Sequence, residues 1–171
     1  EDYYKDIHRW SFCLETYFLK ERFRDLLAIS QTDKDVIQDR SIFEGVYVFA
    51  ANNQAMGNME QRDYNTYMEL IEQMTSVARM PDLMIYLRAS IPHLVANIQK
   101  RGRGYEQSIP IDYLQNLNNR YEDFIYNKYE GKVLTIEVDN MDFLHNPDDF
   151  MLITDKIDRI FYSLFPEEND K

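Results

Sequence analysis

The stretch DLMIYLRA, residues 82–89, decides the fold. It is a near-continuous apolar run of strand length, the pattern of a parallel strand covered on both faces. The next residues, SIPHLVANIQKR (90–101), open with Ser90 in N-cap position and Pro92 in the first turn, so the strand is expected to feed a helix. A second run of the same kind, GKVLTIEV (131–138), predicts another buried strand, and DVIQ (35–38) reads as a short third one. The other segments carry helical periodicity. Trp10, Leu14, Phe18 and Phe23 recur along a first helix expected from Asp2 to about Ile29, with Trp10 and Phe18 assigned to the core. IFEGVYVFAANNQA (42–55), RDYNTYMELIEQMTSVA (62–78), residues 111–129 and DDFMLITDKIDRIFYSLF (148–165) follow as further helices. Strands separated by helices, with connections too long for hairpins, imply an α/β fold: a parallel sheet flanked by helices. Ligands of such sheets sit at the carboxyl ends of the strands.

Composition narrows the class. With 171 residues, 44% of them hydrophobic, and only five glycines and five prolines, the chain is expected to form a single domain, 1–171. A net charge of −11 disfavours extended binding to a nucleic acid polymer or to an anionic membrane. One cysteine, Cys13, allows no internal disulfide, and no apolar run approaches the roughly 20 residues of a membrane span. The expected location is the cytoplasm.

Three groups of residues could carry chemistry. Asp39–Arg40–Ser41 ends the predicted first strand, either as an ordinary surface ion pair or as a Mg²⁺ carboxylate beside a guanidinium aimed at phosphate. KRGRGYEQ (100–107) is the one dense basic cluster in an acidic chain. It reads as a capped helix C-terminus or as a mobile loop whose Arg101 and Arg103 close over phosphates. On the first helix, Glu15 is uncomfortable among apolar neighbours, because a buried carboxylate costs several kcal/mol (roughly) unless paired. Arg22, two turns on, could pair with it. His8, His93 and His145 show no metal-ligand spacing with Cys13, and neither a GxSxG motif nor a GxxxxGK[ST] phosphate loop is present.

RWSFCLETYFLKERF (9–23), VIQDRSIFEGVYVFA (36–50), RGRGYEQSIPIDYLQNLNNRYEDF (101–124) and VLTIEVDNMDF (133–143), in this order, closely resemble the deoxynucleoside kinase family. The resemblance covers essentially the whole chain and is closest to the bacterial deoxyadenosine and deoxyguanosine kinases. It implies a three-layer P-loop-kinase-like fold, and transfer of the γ-phosphate of ATP to the 5′-hydroxyl of a deoxynucleoside with Mg²⁺, by a homodimer. It places Asp39 near the metal and Arg40 near the 5′-oxygen. Arg101 and Arg103 become lid arginines on the transferred phosphate, and Tyr4 with Glu106 would hold the sugar 3′-hydroxyl. Phe49 would stack on the base beside Leu14, and Asp142 and Phe143 would touch the donor adenine. The family's N-terminal strand, phosphate loop with its lysine, and 5′-hydroxyl-activating Glu all precede the first helix. The chain, opening at Glu1, is therefore expected to be N-terminally truncated and inactive alone. Asn97 stands where many relatives carry arginine, and Gly45 where purine-preferring relatives often carry Asp.

Glu15 matches the family's base-reading amide. An ionised carboxylate only accepts, and guanine presents two adjacent donors, so a purine substrate with deoxyguanosine ahead of deoxyadenosine is expected. The competing readings are a non-catalytic nucleotide-binding partner subunit with the same fold, and a nucleoside monophosphate kinase.

Overall fold

The computed structural model describes residues 2–77, 79–104 and 109–164. They form two compact units, Glu1–Pro81 with Ile109–Glu130, and Asp82–Ser108 with Gly131–Lys171.

The first unit is helical. The long helix expected from Asp2 is two helices, α1 (Asp2–Lys5) and α2 (Ile7–Ser30), because Asp6 leaves helical geometry at φ −149° and caps α2, its carboxylate accepting from the Arg9 N–H at 3.0 Å. Helix α3 (Ile42–Glu44) runs without a break into a π-helical turn, Gly45–Ala50, and on into α4 (Ala51–Ala55). Helix α5 (Gln61–Thr75) follows, and α7 (Ile111–Asp123), with a second π-turn at Phe124–Lys128, completes the unit. Its core is Leu19 and Leu26 of α2, Ile42, Val46 and Ala50 of the π-wound helix, Met59, and Tyr67 and Ile71 of α5.

In the second unit, β1 (Met84–Arg88) pairs in parallel with β2 (Val133–Glu137), Met84 opposite Val133 and Arg88 opposite Glu137. Helix α6 (Ile91–Arg101) follows β1 as expected, with Ser90 as N-cap and Pro92 in its first turn, and α8 (Pro147–Leu164) follows β2. Ala89, Ile136, Val138 and Ile153 form this core, with Leu94, Phe143 and Ile157 packed on it. The expected α/β architecture with a parallel sheet is present.

Three expectations need correction. DVIQ is not a strand: residues 35–38 are irregular, and Ile37 is 97% exposed. Two apolar residues among Asp33, Lys34, Asp35 and Asp39 bury too little to recruit a hydrogen-bonded neighbour. Strand β1 is covered on one face only, since Ile85 and Leu87 are exposed while Met84 and Tyr86 are half-buried. Trp10 and Phe18 are exposed rather than core. The Arg9 guanidinium covers the Trp10 ring at 4.7 Å, and Phe18 meets Tyr17 edge-on at 5.7 Å. Among the described residues no helix is long and apolar enough to cross a membrane.

Candidate functional site

Within the first unit, α2 and the π-wound helix enclose a cavity of about 190 Å³. Helix α2 contributes Leu14, Glu15, Phe18 and Arg22; the facing helix contributes Gly45, Phe49 and Asn53; α5 contributes Tyr67. Four of the residues singled out from the sequence (Leu14, Glu15, Arg22 and Phe49) thus meet Arg40 and Ser41 around one cavity.

Glu15 is 6% exposed, and burial pushes its carboxyl up from 4.5 to about 7, a hydrogen bond from Asn53 pulling the other way. The expected Glu15–Arg22 pair is absent. Asn53 Nδ2 donates to Glu15 Oε1 at 2.9 Å instead, while the Arg22 guanidinium donates to the backbone carbonyls of Asp39 and Arg40. The reason is local. Arg40 is held at φ +62°, a left-handed conformation that costs a non-glycine residue about 1 kcal/mol or more. Arg22 satisfies both carbonyls and braces the turn.

Asp39 and Arg40 do not pair with each other. The Arg40 guanidinium lies over the Phe49 ring, 4.9 Å from its centroid, a cation–π contact, and Asp39 is exposed with no ion pair among the described residues. Ser41 caps α3: its Oγ accepts from Phe43 N–H at 3.2 Å, and Glu44 Oε2 accepts from Ser41 N–H at 2.9 Å, a reciprocal capping box. Behind Phe49, Tyr121 stands edge-on at 6.2 Å, its phenol pushed up first by burial. Tyr67 is buried and its phenol is raised, by burial first and then by the neighbouring Glu15 charge.

Asn53 and Tyr67 were not anticipated. Asn53 is 4% exposed and takes the Tyr3 hydroxyl at 3.2 Å and Asn58 Nδ2 at 3.4 Å on its Oδ1. A buried amide one turn beyond Phe49 was the signal available in the sequence.

The second unit carries the other candidates. Arg101 is the last residue of α6, and Gly102, left-handed at φ +67°, caps the helix, its N–H donating to Ile98 at 3.2 Å. A capped helix end is thus present at KRGRG, and Arg101 and Arg103 are exposed. Asp142 Oδ1 meets His145 Nδ1 at 2.8 Å, and this contact holds the Asp142 carboxyl below its usual range. Phe143 packs on the core of its unit. The Tyr4 side chain and Glu106 lie outside the described residues.

A second concavity of about 320 Å³ in the first unit is lined by Asn52, Asn116, Asn119, Ala55, Met56 and Arg120, whose Nε donates to Asn52 Oδ1 at 3.2 Å. None of the candidate residues lines it.

Among the described residues no three His, Cys, Asp or Glu side chains converge on a metal site. Mg²⁺ does not need such a cage. It is commonly held by one or two carboxylates together with substrate phosphates, and an exposed, unpaired Asp39 fits that donor set.

Comparison with known proteins agrees on one family. The family profile described as Deoxynucleoside kinase matches residues 1–162. The chain is 34% identical to a deoxyadenosine/deoxycytidine kinase of Bacillus subtilis over 164 residues, 95% of this chain and 76% of that one. It is 37% identical to a deoxyadenosine kinase of Dictyostelium discoideum over 125 residues, 73% of this chain and 51% of that one. A solved structure of deoxyadenosine kinase from M. mycoides with dCMP and dCDP bound superposes with a TM-score of 0.77 at 30% identity, covering 93% of this chain and 79% of that one.

Proposed function

We propose a function that starts from membership: this chain belongs to the deoxynucleoside kinase family, whose members are phosphotransferases. On that premise the cavity of the first unit is the acceptor pocket, and the substrate is a purine deoxynucleoside phosphorylated by ATP. The observation that carries the reading is the buried Glu15, held by Asn53 in the wall of a cavity that also presents the Phe49 ring. A nucleobase offers a π face for an aromatic ring and a polar edge for a buried acceptor, and this wall matches both.

In the reaction the acceptor 5′-hydroxyl oxygen attacks the γ-phosphorus, the bond to the β–γ bridging oxygen breaks to release ADP, and the hydroxyl proton is given up to solvent. Arg40, braced through its backbone by Arg22, supplies fixed positive charge where negative charge spreads in the transition state. Arg101 and Arg103 are assigned the same kind of work on the transferred phosphate, Tyr4 and Glu106 the sugar, and Asp142 and Phe143 the donor adenine. Asp39 would hold Mg²⁺, which neutralises phosphate charge when bound. Both units are taken as parts of one kinase domain acting as a cytoplasmic homodimer.

The test is phosphoryl transfer by the full-length protein with MgATP and each deoxynucleoside in turn, the 5′-monophosphate being separated by chromatography. A purine monophosphate is expected as the main product, and Phe49→Ala should raise KM about tenfold, the worth of one stacked base. Product from no deoxynucleoside would overturn the proposal, and binding without product would establish the non-catalytic subunit in its place.

A further inference from the structure

We propose that Asn53 is a positioning residue: it fixes which oxygen of Glu15 can carry a proton, so that the cavity reads one base edge with Glu15 neutral and the opposite edge with Glu15 ionised. This rests on the acceptor-pocket reading above and deepens it.

The orientation of the Asn53 amide is set from its far side. Its Oδ1 accepts from the Tyr3 hydroxyl and from Asn58 Nδ2, so the NH₂ group is the part that faces Glu15. A flipped amide would set oxygen against oxygen at an ionised Glu15 and, whatever the state of Glu15, would set NH₂ against NH₂ at Asn58. Glu15 Oε1 therefore acts as an acceptor in both protonation states. When the carboxyl is neutral, its carbonyl oxygen is the better acceptor, and the proton belongs on Oε2. Oε2 has no hydrogen-bond partner among the described residues and is not a sealed-off atom. Neutral Glu15 thus shows a donor beside an acceptor, the complement of adenine (N1 and the 6-amino group) and of cytosine (N3 and the 4-amino group). Ionised Glu15 shows two acceptors, the complement of guanine N1–H and its 2-amino group.

The surroundings allow both states. Arg22 is committed to the carbonyls of Asp39 and Arg40, and the Arg40 guanidinium to Phe49, so neither cation pairs with Glu15. Glu44, on the facing helix, is bound to Ser41. Tyr67 from α5, Tyr3 from α1 and Tyr113 from α7 line the same cavity. Burial is the dominant influence, and it places the Glu15 midpoint at about 7. The carboxyl is neutral below that midpoint and ionised above it.

The experiment is calorimetric binding of deoxyadenosine, deoxycytidine and deoxyguanosine to the full-length protein. With the midpoint at about 7, going from about pH 5.5 to about pH 8.5 should weaken deoxyadenosine and deoxycytidine ~30-fold and tighten deoxyguanosine ~30-fold, so their ratio moves on the order of 10³. Glu15→Gln, which cannot ionise and presents a donor and an acceptor, should abolish the pH dependence and bind adenine and cytosine at every pH. Asn53→Ala removes a hydrogen bond that favours the ionised form and should move the crossover to higher pH, which a merely structural role would not do. A ratio that stays flat with pH in the unmutated protein overturns the proposal, as does a slope that survives Glu15→Gln. Binding of no deoxynucleoside at any pH would instead overturn the acceptor-pocket reading, and this inference with it.

Discussion

Glu15→Gln tests the electrostatics of the cavity without any ligand. In the unfolded chain this carboxyl titrates near its ordinary 4.5; in the folded protein burial holds it at about 7. Between those values the native state binds more protons than the unfolded state, so stability falls as pH rises. The loss begins near 4.5 and is complete above 7. Each pH unit in that window costs about 1.4 kcal/mol, so ionised Glu15 destabilises the fold by about 3 kcal/mol at alkaline pH. Glutamine keeps the acceptor for Asn53 Nδ2 and removes the charge. The variant should therefore gain on the parent by about 2 kcal/mol more at pH 8.5 than at pH 5.5. In urea unfolding that is a relative midpoint difference of about 1 M between the two pH values, for a slope of about 2 kcal/mol/M. A parent-to-variant gap that is the same at both pH values would refute the reasoning, because a packing effect of the substitution carries no pH dependence.

Three further outcomes follow from particular contacts. Arg22→Met removes the donors to the Asp39 and Arg40 carbonyls and should cost about 1–3 kcal/mol, measured by thermal unfolding, with kcat falling more than KM rises because Arg40 is no longer held. Gly45→Ala brings a Cβ to 3.3 Å from the Tyr67 hydroxyl; overpacking of about 1–3 kcal/mol should outweigh the helix-propensity gain of about 1, and adding Tyr67→Phe should recover most of the loss in urea unfolding. Ser41→Ala breaks the capping box with Glu44 and should cost about 1 kcal/mol in the same assay.

The parts of the fold legible in the sequence are those where one local signal suffices. DLMIYLRA and GKVLTIEV are long enough and apolar enough to be strands wherever the chain goes, and Ser90, Pro92 and Gly102 punctuate α6 by their own backbone chemistry. DVIQ carried the same letters in too short a run, and only a hydrogen-bonding neighbour could have made it a strand. The site divides in the same way. Glu15 announced itself as a charge on an apolar face, but its partner was chosen by three-dimensional competition: Arg22 is the nearer residue in sequence, and the left-handed turn at Arg40 claims it. That competition has a consequence for specificity. With Arg22 on Glu15 the carboxylate would stay ionised at neutral pH and the guanine reading would stand alone. With an amide there instead, the carboxyl sits near its midpoint.

Why Asn53 is that partner follows from the winding of its helix. Gly45, Phe49 and Asn53 are spaced four residues apart, and on an α-helix at 100° per residue each step of four overshoots a full turn by about 40°, leaving Asn53 about 80° away from Gly45. The segment Gly45–Ala50 is wound as a π-helix, whose i→i+5 bonding gives about 4.4 residues per turn, so four residues there fall short of a turn by about 33°. Gly45 to Phe49 lies inside the π-turn, and Phe49 to Asn53 lies largely in α4. One step undershoots and the next overshoots, so the three residues return to nearly one direction and form a single wall. The glycine that opens the π-turn lets the Tyr67 hydroxyl stand beside the helix, the ring in the middle stacks under Arg40, and the amide at the far end reaches Glu15. A regular helix of the same sequence would turn Asn53 off this wall and leave the buried carboxyl without its donor.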